Sequence, residues 1–221
     1  MQTVFTALKQ GTQSQHSALE STYPFSVYQV NKAPDIKSYF DVLSVMTLFH
    51  KKVTQAVNSN GLPKEVANLA MLLNGNTVLN ALEQDKEILG SSHRCNSHDV
   101  ENDNDESLAT LNSVNFALSF ESQTSMAIAA MYVWLGSSMG ANVLLRRLKS
   151  TPDLPVYYYG AMAECAKAWV QFKQQVDTLM PQLEAQQENV GASIVKDAQR
   201  WFDYLIQLGV HVSSGKAPAA V

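Results

Sequence analysis

The stretch Ala129–Leu148, AAMYVWLGSSMGANVLLRRL, is a strongly apolar helical run broken by Gly136 and Gly140, four residues apart on one helix face. Glycine inside a helix costs about 0.5–1 kcal/mol relative to alanine, so two of them, with Ser137 and Ser138 between, call for a compensating contact. One such contact is close packing against a second helix, where small residues let the backbones approach. The other is a flat ligand laid over the helix, with Gly and Ser letting it kink there. The spacing alone does not choose between them.

Outward from this run the chain reads as helices throughout. Phe5, Leu8, Thr12, His16 and Leu19 recur at three- and four-residue steps and predict one amphipathic N-terminal helix. Pro34 opens a second helix with Ile36, Phe40, Leu43 and Val53 on its apolar positions, running to about Asn58. Pro63–Leu73 and Thr77–Leu89 read as short helices divided by Asn74-Gly75-Asn76. The central run is expected to begin near Ser107, break around Phe120 and continue through Leu148. Pro152 and Pro155 interrupt the chain before a helix to about Leu179, and a last helix covers about Gln187 to Leu208. Period-two alternation is nowhere sustained, and there is no internal repeat. The expectation is an all-α, single-domain helical bundle over residues 1–210. Gly90–Glu106, GSSHRCNSHDVENDNDE, reads as a flexible acidic loop, and residues 211–221 as a disordered tail.

With 221 residues and 46% hydrophobic content the chain can bury a substantial core, and a net charge of −4 gives no reason to expect nucleic acid or an anionic membrane. No segment has the pattern of a secretory leader, and no apolar run is read as reaching the length of a membrane span. The expected location is the cytoplasm, without membrane insertion. Cys95 and Cys165 form no CxxC pair and read as free thiols. His93, Cys95 and His98 read as chance clustering in a polar loop rather than a metal site. His50, beside Lys51 and Lys52, reads as a helix-end residue, and Arg146, Arg147 and Lys149 as cations complementing a helix C-terminus. For Arg147 a contact to a ligand carboxylate is the alternative.

On the first helix Lys9, His16 and Glu20 share a stripe, placing a carboxylate one turn after the histidine and an ammonium two turns before it. Such a histidine suits an axial iron ligand: a neutral imidazole offers one nitrogen to the metal while Glu20 holds the other N–H. The same three residues also suit an ordinary solvated helix face.

LKQGTQSQHSALE (Leu8–Glu20) and GSSMGA (Gly136–Ala141) resemble the proximal and distal haem helices of bacterial, biliverdin-producing haem oxygenases. The resemblance continues in order through SYFDVL (Ser38–Leu43), LEQDKEILG (Leu82–Gly90), YYYGAMAECAKAWVQF (Tyr157–Phe172) and AQRWFDYL (Ala198–Leu205). It implies that His16 is the ligand to the haem iron, Glu20 its partner, and Lys9 a contact to a haem propionate. Thr12 matches a position beside the macrocycle, Phe202 an aromatic packed near it, and Lys173 a second propionate contact. Gly136 and Gly140 match the glycines that bring the distal helix over the iron, with Ser137 a polar position between them, and these three form the implied catalytic set.

The implied reaction opens haem, both substrate and cofactor, at a meso carbon to give biliverdin, iron and carbon monoxide. It uses O2 and electrons from an external donor such as a ferredoxin or flavodoxin reductase system. The chain departs from the family where carboxylates order distal water: Leu135 stands where many bacterial members are acidic, and Ser137 where mammalian relatives have Asp. Two other functions fit the same pattern. One is a haem-binding sensor or storage protein without turnover; the other is an enzyme of different chemistry on the same architecture, such as a thiaminase-like or quinone-cofactor synthesis protein.

Overall fold

The computed structural model describes residues 3–29, 33–96, 118–151 and 153–214. All regular structure among them is helical: α1 (Val4–Gly11), α2 (Gln13–Ser21), α3 (Ile36–Val57), α4 (Lys64–Leu69), α5 (Gly75–Asn96), α6 (Gln123–Leu148), α7 (Tyr157–Glu164), α8 (Ala166–Gln186) and α9 (Val190–Ser214). Short 3-10 turns cover Phe25–Tyr28 and Ala70–Leu73.

α3 is buried over most of its circumference, with Tyr39, Val42, Leu43, Val45, Met46, Phe49 and Val53 in the core, as befits a helix enclosed by others. Asp35 starts it by accepting the Ser38 N–H at 2.8 Å. α6 packs on α9, α7, α3 and α8, while α1 and α2 lie on α9. Of the described helices α6 is the one long and apolar enough by composition to cross a membrane, which the sequence reading did not anticipate. Its residues from Ala127 to Leu135 are nevertheless buried in the core, Tyr132 excepted.

The start of α6 is fixed by a reciprocal cap, in which the Ser122 hydroxyl accepts the Ser125 N–H and the Ser125 hydroxyl accepts the Ser122 N–H, both at 3.1 Å. The fully buried Asp197 of α9 accepts the Ser125 hydroxyl at 2.5 Å, the Glu121 N–H at 3.1 Å and the Arg200 guanidinium at 2.7 Å. A buried charge is thereby matched by three donors, and α6 and α9 are joined at one end. At the other side Asp85 of α5 accepts the Tyr157 and Tyr158 N–H groups at 3.0 and 2.9 Å, capping α7. Burial pushes the Asp85 carboxyl up to about 6.

The elements differ from the sequence reading in places where a tertiary contact overrides a local signal. The expected single N-terminal helix is broken at Thr12. A Cβ on Gly11 would collide with Val195, so its absence lets α1 approach α9, and the Gly11 carbonyl, released from the helix ladder, accepts from Gln199 Nε2 at 2.7 Å. α5 runs on to Asn96, so the expected loop does not begin at Gly90; residues 97–106 lie outside the described ones. The expected break around Phe120 is present, since residues 118–122 are not helical and α6 begins at Gln123; the expected start near Ser107 lies outside the described residues. The segment after Pro155 divides at Cys165 into α7 and α8, and α8 continues through Pro181 to Gln186. α9 extends past Gly209 to Ser214, into the stretch expected as a tail, with residues 215–221 undescribed. Gly209 does not stop it: there α9 passes the Tyr23 carbonyl too closely for any side chain.

Candidate active site

The N-terminal arm, made of α1, α2 and the Phe25–Tyr28 turn, touches the face of α6 that carries the glycines at two separated points. At its start Phe5 lies 6.4 Å from the ring of Tyr132 on α6, and 5.9 and 5.8 Å from Trp169 and Phe172 on α8. At its end the Tyr28 carbonyl accepts from Arg147 Nη1 at 2.7 Å. Tyr132, Gly136, Gly140, Val143 and Arg147 follow one another at steps of three and four along one face of α6. At 1.5 Å per residue the two points of contact are about 22 Å apart. Between them α2 packs chiefly on α9. The arm and α6 thus border a cleft with α9 beneath.

His16 lies on the α2 side, with its Nδ1 3.3 Å from Glu20 Oε1 and side chains 60% and 57% exposed. The ring sits edge-on to Phe202 of α9 at 5.9 Å. An Nδ1–H held by Glu20 leaves Nε2 as the lone-pair nitrogen, free to bind a metal.

On the α6 side a Cβ built on Gly136 or on Gly140 meets no atom of the described residues within 4 Å. Close helix packing therefore does not explain these glycines; they face open space. Met139 and Val143 beside them are 53% and 67% exposed, high for apolar residues of a helix whose preceding turns are buried in the core. α6 is helical across both glycines. The Ser137 hydroxyl donates to the Trp134 carbonyl at 2.6 Å from an exposed position, and the buried Ser138 hydroxyl donates to the Leu135 carbonyl at 2.5 Å. Leu135 and Trp134 point into the core.

The other sequence candidates divide. Lys9 is exposed and lies one turn from Phe5, while Lys173 stands over the Trp169 ring at 5.4 Å, so both cations flank the aromatic cluster at the Tyr132 end of the cleft. Thr12 is buried and its hydroxyl donates to the Leu8 carbonyl at 2.8 Å, so it presents no hydroxyl to a ligand. Arg147 is engaged by the Tyr28 main chain. His50 is not a helix-end residue: α3 continues to Val57, and the ring is wholly buried against Trp134 at 4.0 Å, with Nε2 3.1 Å from the Tyr158 hydroxyl. Burial pushes it down to about 3, so it is neutral. Cys165 is a buried free thiol. The side chains of His93, Cys95 and His98 lie outside the described residues.

Tyr132, Trp169 and Tyr28 were not singled out from the sequence. Tyr132 was readable as the residue one turn before Gly136 on the same face; Trp169 and Tyr28 reach the cleft through tertiary contacts that leave no local pattern. A separate cavity of about 580 Å³ lies between α5, α7 and the end of α6, lined by Asn80, Gln84, Lys149, Tyr157 and Gly160 among others, and includes none of the cleft residues.

The family model described as Heme oxygenase matches residues 2–209. The chain belongs to the haem oxygenase family. No curated protein matches it in a whole-sequence comparison. Haem degradation is the activity of haem oxygenases, and haem and O2 are the molecules this family acts on. The residues of the cleft fit that substrate. Two helical glycines leave room for a flat macrocycle, an imidazole with a free Nε2 stands on the opposing helix, and two cations at one end suit a pair of carboxylates.

Proposed function

We propose that this haem oxygenase binds one haem between α2 and α6 and cleaves it to biliverdin, releasing iron and carbon monoxide. The observation that carries this reading is the open space over Gly136 and Gly140, on the helix that borders the cleft opposite exposed His16. His16 Nε2 binds the iron, and Glu20 fixes the ring by accepting its Nδ1–H. Lys9 and Lys173 take the propionates, Phe202 packs against the macrocycle, and the glycines admit it close to the α6 backbone. Thr12 shapes the arm from within, by its bond to Leu8. The bound haem supplies the redox chemistry that activates O2. Ser137, whose hydroxyl can turn from the Trp134 carbonyl toward the cleft, orders water on the α6 side.

Electrons come from an external ferredoxin or flavodoxin reductase system, and the protein works in the cytoplasm. Residues 2–209, spanned by the family match and joined by a shared core, act as one domain. A haem-binding sensor or storage role without turnover is the second reading. It is favoured by the absence of a carboxylate at Leu135 and Ser137 and by the inward bonding of both serine hydroxyls.

The test is an absorption titration of the apoprotein with hemin, followed in air by reductant and catalase. Saturation at one haem, then loss of the Soret band with appearance of biliverdin, is expected. Saturation without bilin would select the second reading, and absence of saturable binding would remove both.

A further inference from the structure

The two contacts that join the N-terminal arm to α6 differ in kind. At the Phe5 end the contact is aromatic and shared with Trp169 and Phe172 of α8, so it has many partners. At the Tyr28 end a guanidinium on α6 donates to the main-chain carbonyl of Tyr28. The Tyr28 side chain is held as well, since its hydroxyl accepts from the Tyr159 hydroxyl of α7 at 2.6 Å and its ring stands edge-on to that of Tyr159 at 6.1 Å. The turn containing Tyr28 is joined to α2 through the Ser26 N–H, which bonds the Thr22 carbonyl at 3.0 Å. α2 has no buried residue of its own to anchor it. A short, exposed helix with so little apolar burial depends on its flanking attachments for its position.

We propose that Arg147 is a positioning residue: by holding the Tyr28 carbonyl it fixes the end of the arm to α6, and so sets the distance of His16 from Gly136 and Gly140. The role rests on the haem reading only in what it positions; the attachment belongs to the ligand-free fold. A guanidinium bonded to a carbonyl is a charge-assisted contact, and it ties the arm to α6, whereas the Tyr23 hydroxyl, which donates to the Asp41 carboxylate, ties the arm to α3. Its donor lies on the same face of α6 as the glycines, two turns beyond Gly140. The arm is therefore registered against the helix that carries the open surface. Because the acceptor is a backbone carbonyl, the side chain of residue 28 contributes only through Tyr159.

Hydrogen exchange of the full-length apoprotein tests this. In Arg147→Met, amides of residues 13–29 should exchange about tenfold faster, while those of α9 stay at wild-type rates. Tyr28→Phe, which keeps the carbonyl, should change the same amides by less than Arg147→Met. Hemin release from the loaded variant should quicken by a similar factor in Arg147→Met.

Wild-type exchange over residues 13–29 in Arg147→Met would overturn the proposal. Were hemin release faster with that exchange unaltered, Arg147 would instead be a contact to a substrate carboxylate, and the positioning role would again fall. Should the wild-type protein take up no hemin, the haem reading fails on its own, and the exchange data still decide whether Arg147 holds the arm.

Discussion

Replacing Gly136 and Gly140 by alanine should move stability and ligand binding in opposite directions. Both glycines lie inside α6, where alanine is favoured by about 0.5–1 kcal/mol, and an added Cβ meets no atom of the described residues within 4 Å. Each substitution should therefore stabilise the apoprotein by up to about 1 kcal/mol, and the pair by about twice that. For a chain of this size 1 kcal/mol raises Tm by about 2–4 °C, so the double variant should melt about 4–8 °C higher. In the hemin-loaded protein the same methyl groups occupy space needed by the macrocycle, and overpacking of that kind costs about 1–3 kcal/mol, equivalent to a loss of affinity of about 5- to 150-fold. Thermal unfolding of the apoprotein and hemin titration of the same preparations give both numbers. A fall in apoprotein Tm in either single variant would refute the open-face argument, because it would mean that the glycines are packed against something. Unchanged hemin affinity in the double variant would refute the assignment of that open face to haem.

Three further outcomes follow from particular contacts. His16→Ala should leave apoprotein stability within about 0.5 kcal/mol, since the side chain is 60% exposed, yet abolish the five-coordinate histidine spectrum of the hemin complex; retention of that spectrum would remove His16 as the ligand. His50, held down to about 3 by burial, stays neutral in the fold while the unfolded chain takes up a proton near 6.5, so stability is lost as pH falls through that value. At about 1.4 kcal/mol per pH unit this amounts to about 2 kcal/mol between pH 6.5 and 5, and His50→Gln should remove it from urea midpoints measured across that range. Asp85, lifted to about 6, acts in the opposite sense, stabilising the fold as pH drops below 6, but it is common to both proteins and cancels in the comparison. Asp197→Ala should cost about 3 kcal/mol in equilibrium unfolding, because Arg200 and the Ser125 hydroxyl lose their buried acceptor. A loss below 1 kcal/mol would show that the Ser122–Ser125 cap holds the start of α6 unaided.

The all-helical class was legible from periodicity because burying one face of a helix imposes a repeat of 3.6 residues, and a repeat survives in the sequence whatever the helix packs against. The His16–Glu20 pairing was legible for the same reason, since i and i+4 meet on any helix. The two glycines were visible as an anomaly, but their meaning was not, because an empty surface and a tightly packed one ask for the same small residue. Only the tertiary structure separates them, by showing that none of the described residues approaches.

Where the local signal failed, a distant residue had intervened. Gln199 and Val195 of α9 break the N-terminal helix at Thr12, although the apolar stripe continues through it. His50 reads as polar beside two lysines, yet its face of α3 turns to Trp134 and Tyr158, more than eighty residues on. Arg147 reads as a helix-end cation; the Tyr28 carbonyl that holds it lies on another segment. Sequence by itself determined which segments are helices and which side chains share a face, since both follow from backbone geometry within a few residues. The tertiary structure decided which faces are buried, which stay open and where two helices are tied, because those depend on atoms brought together only when the chain has folded.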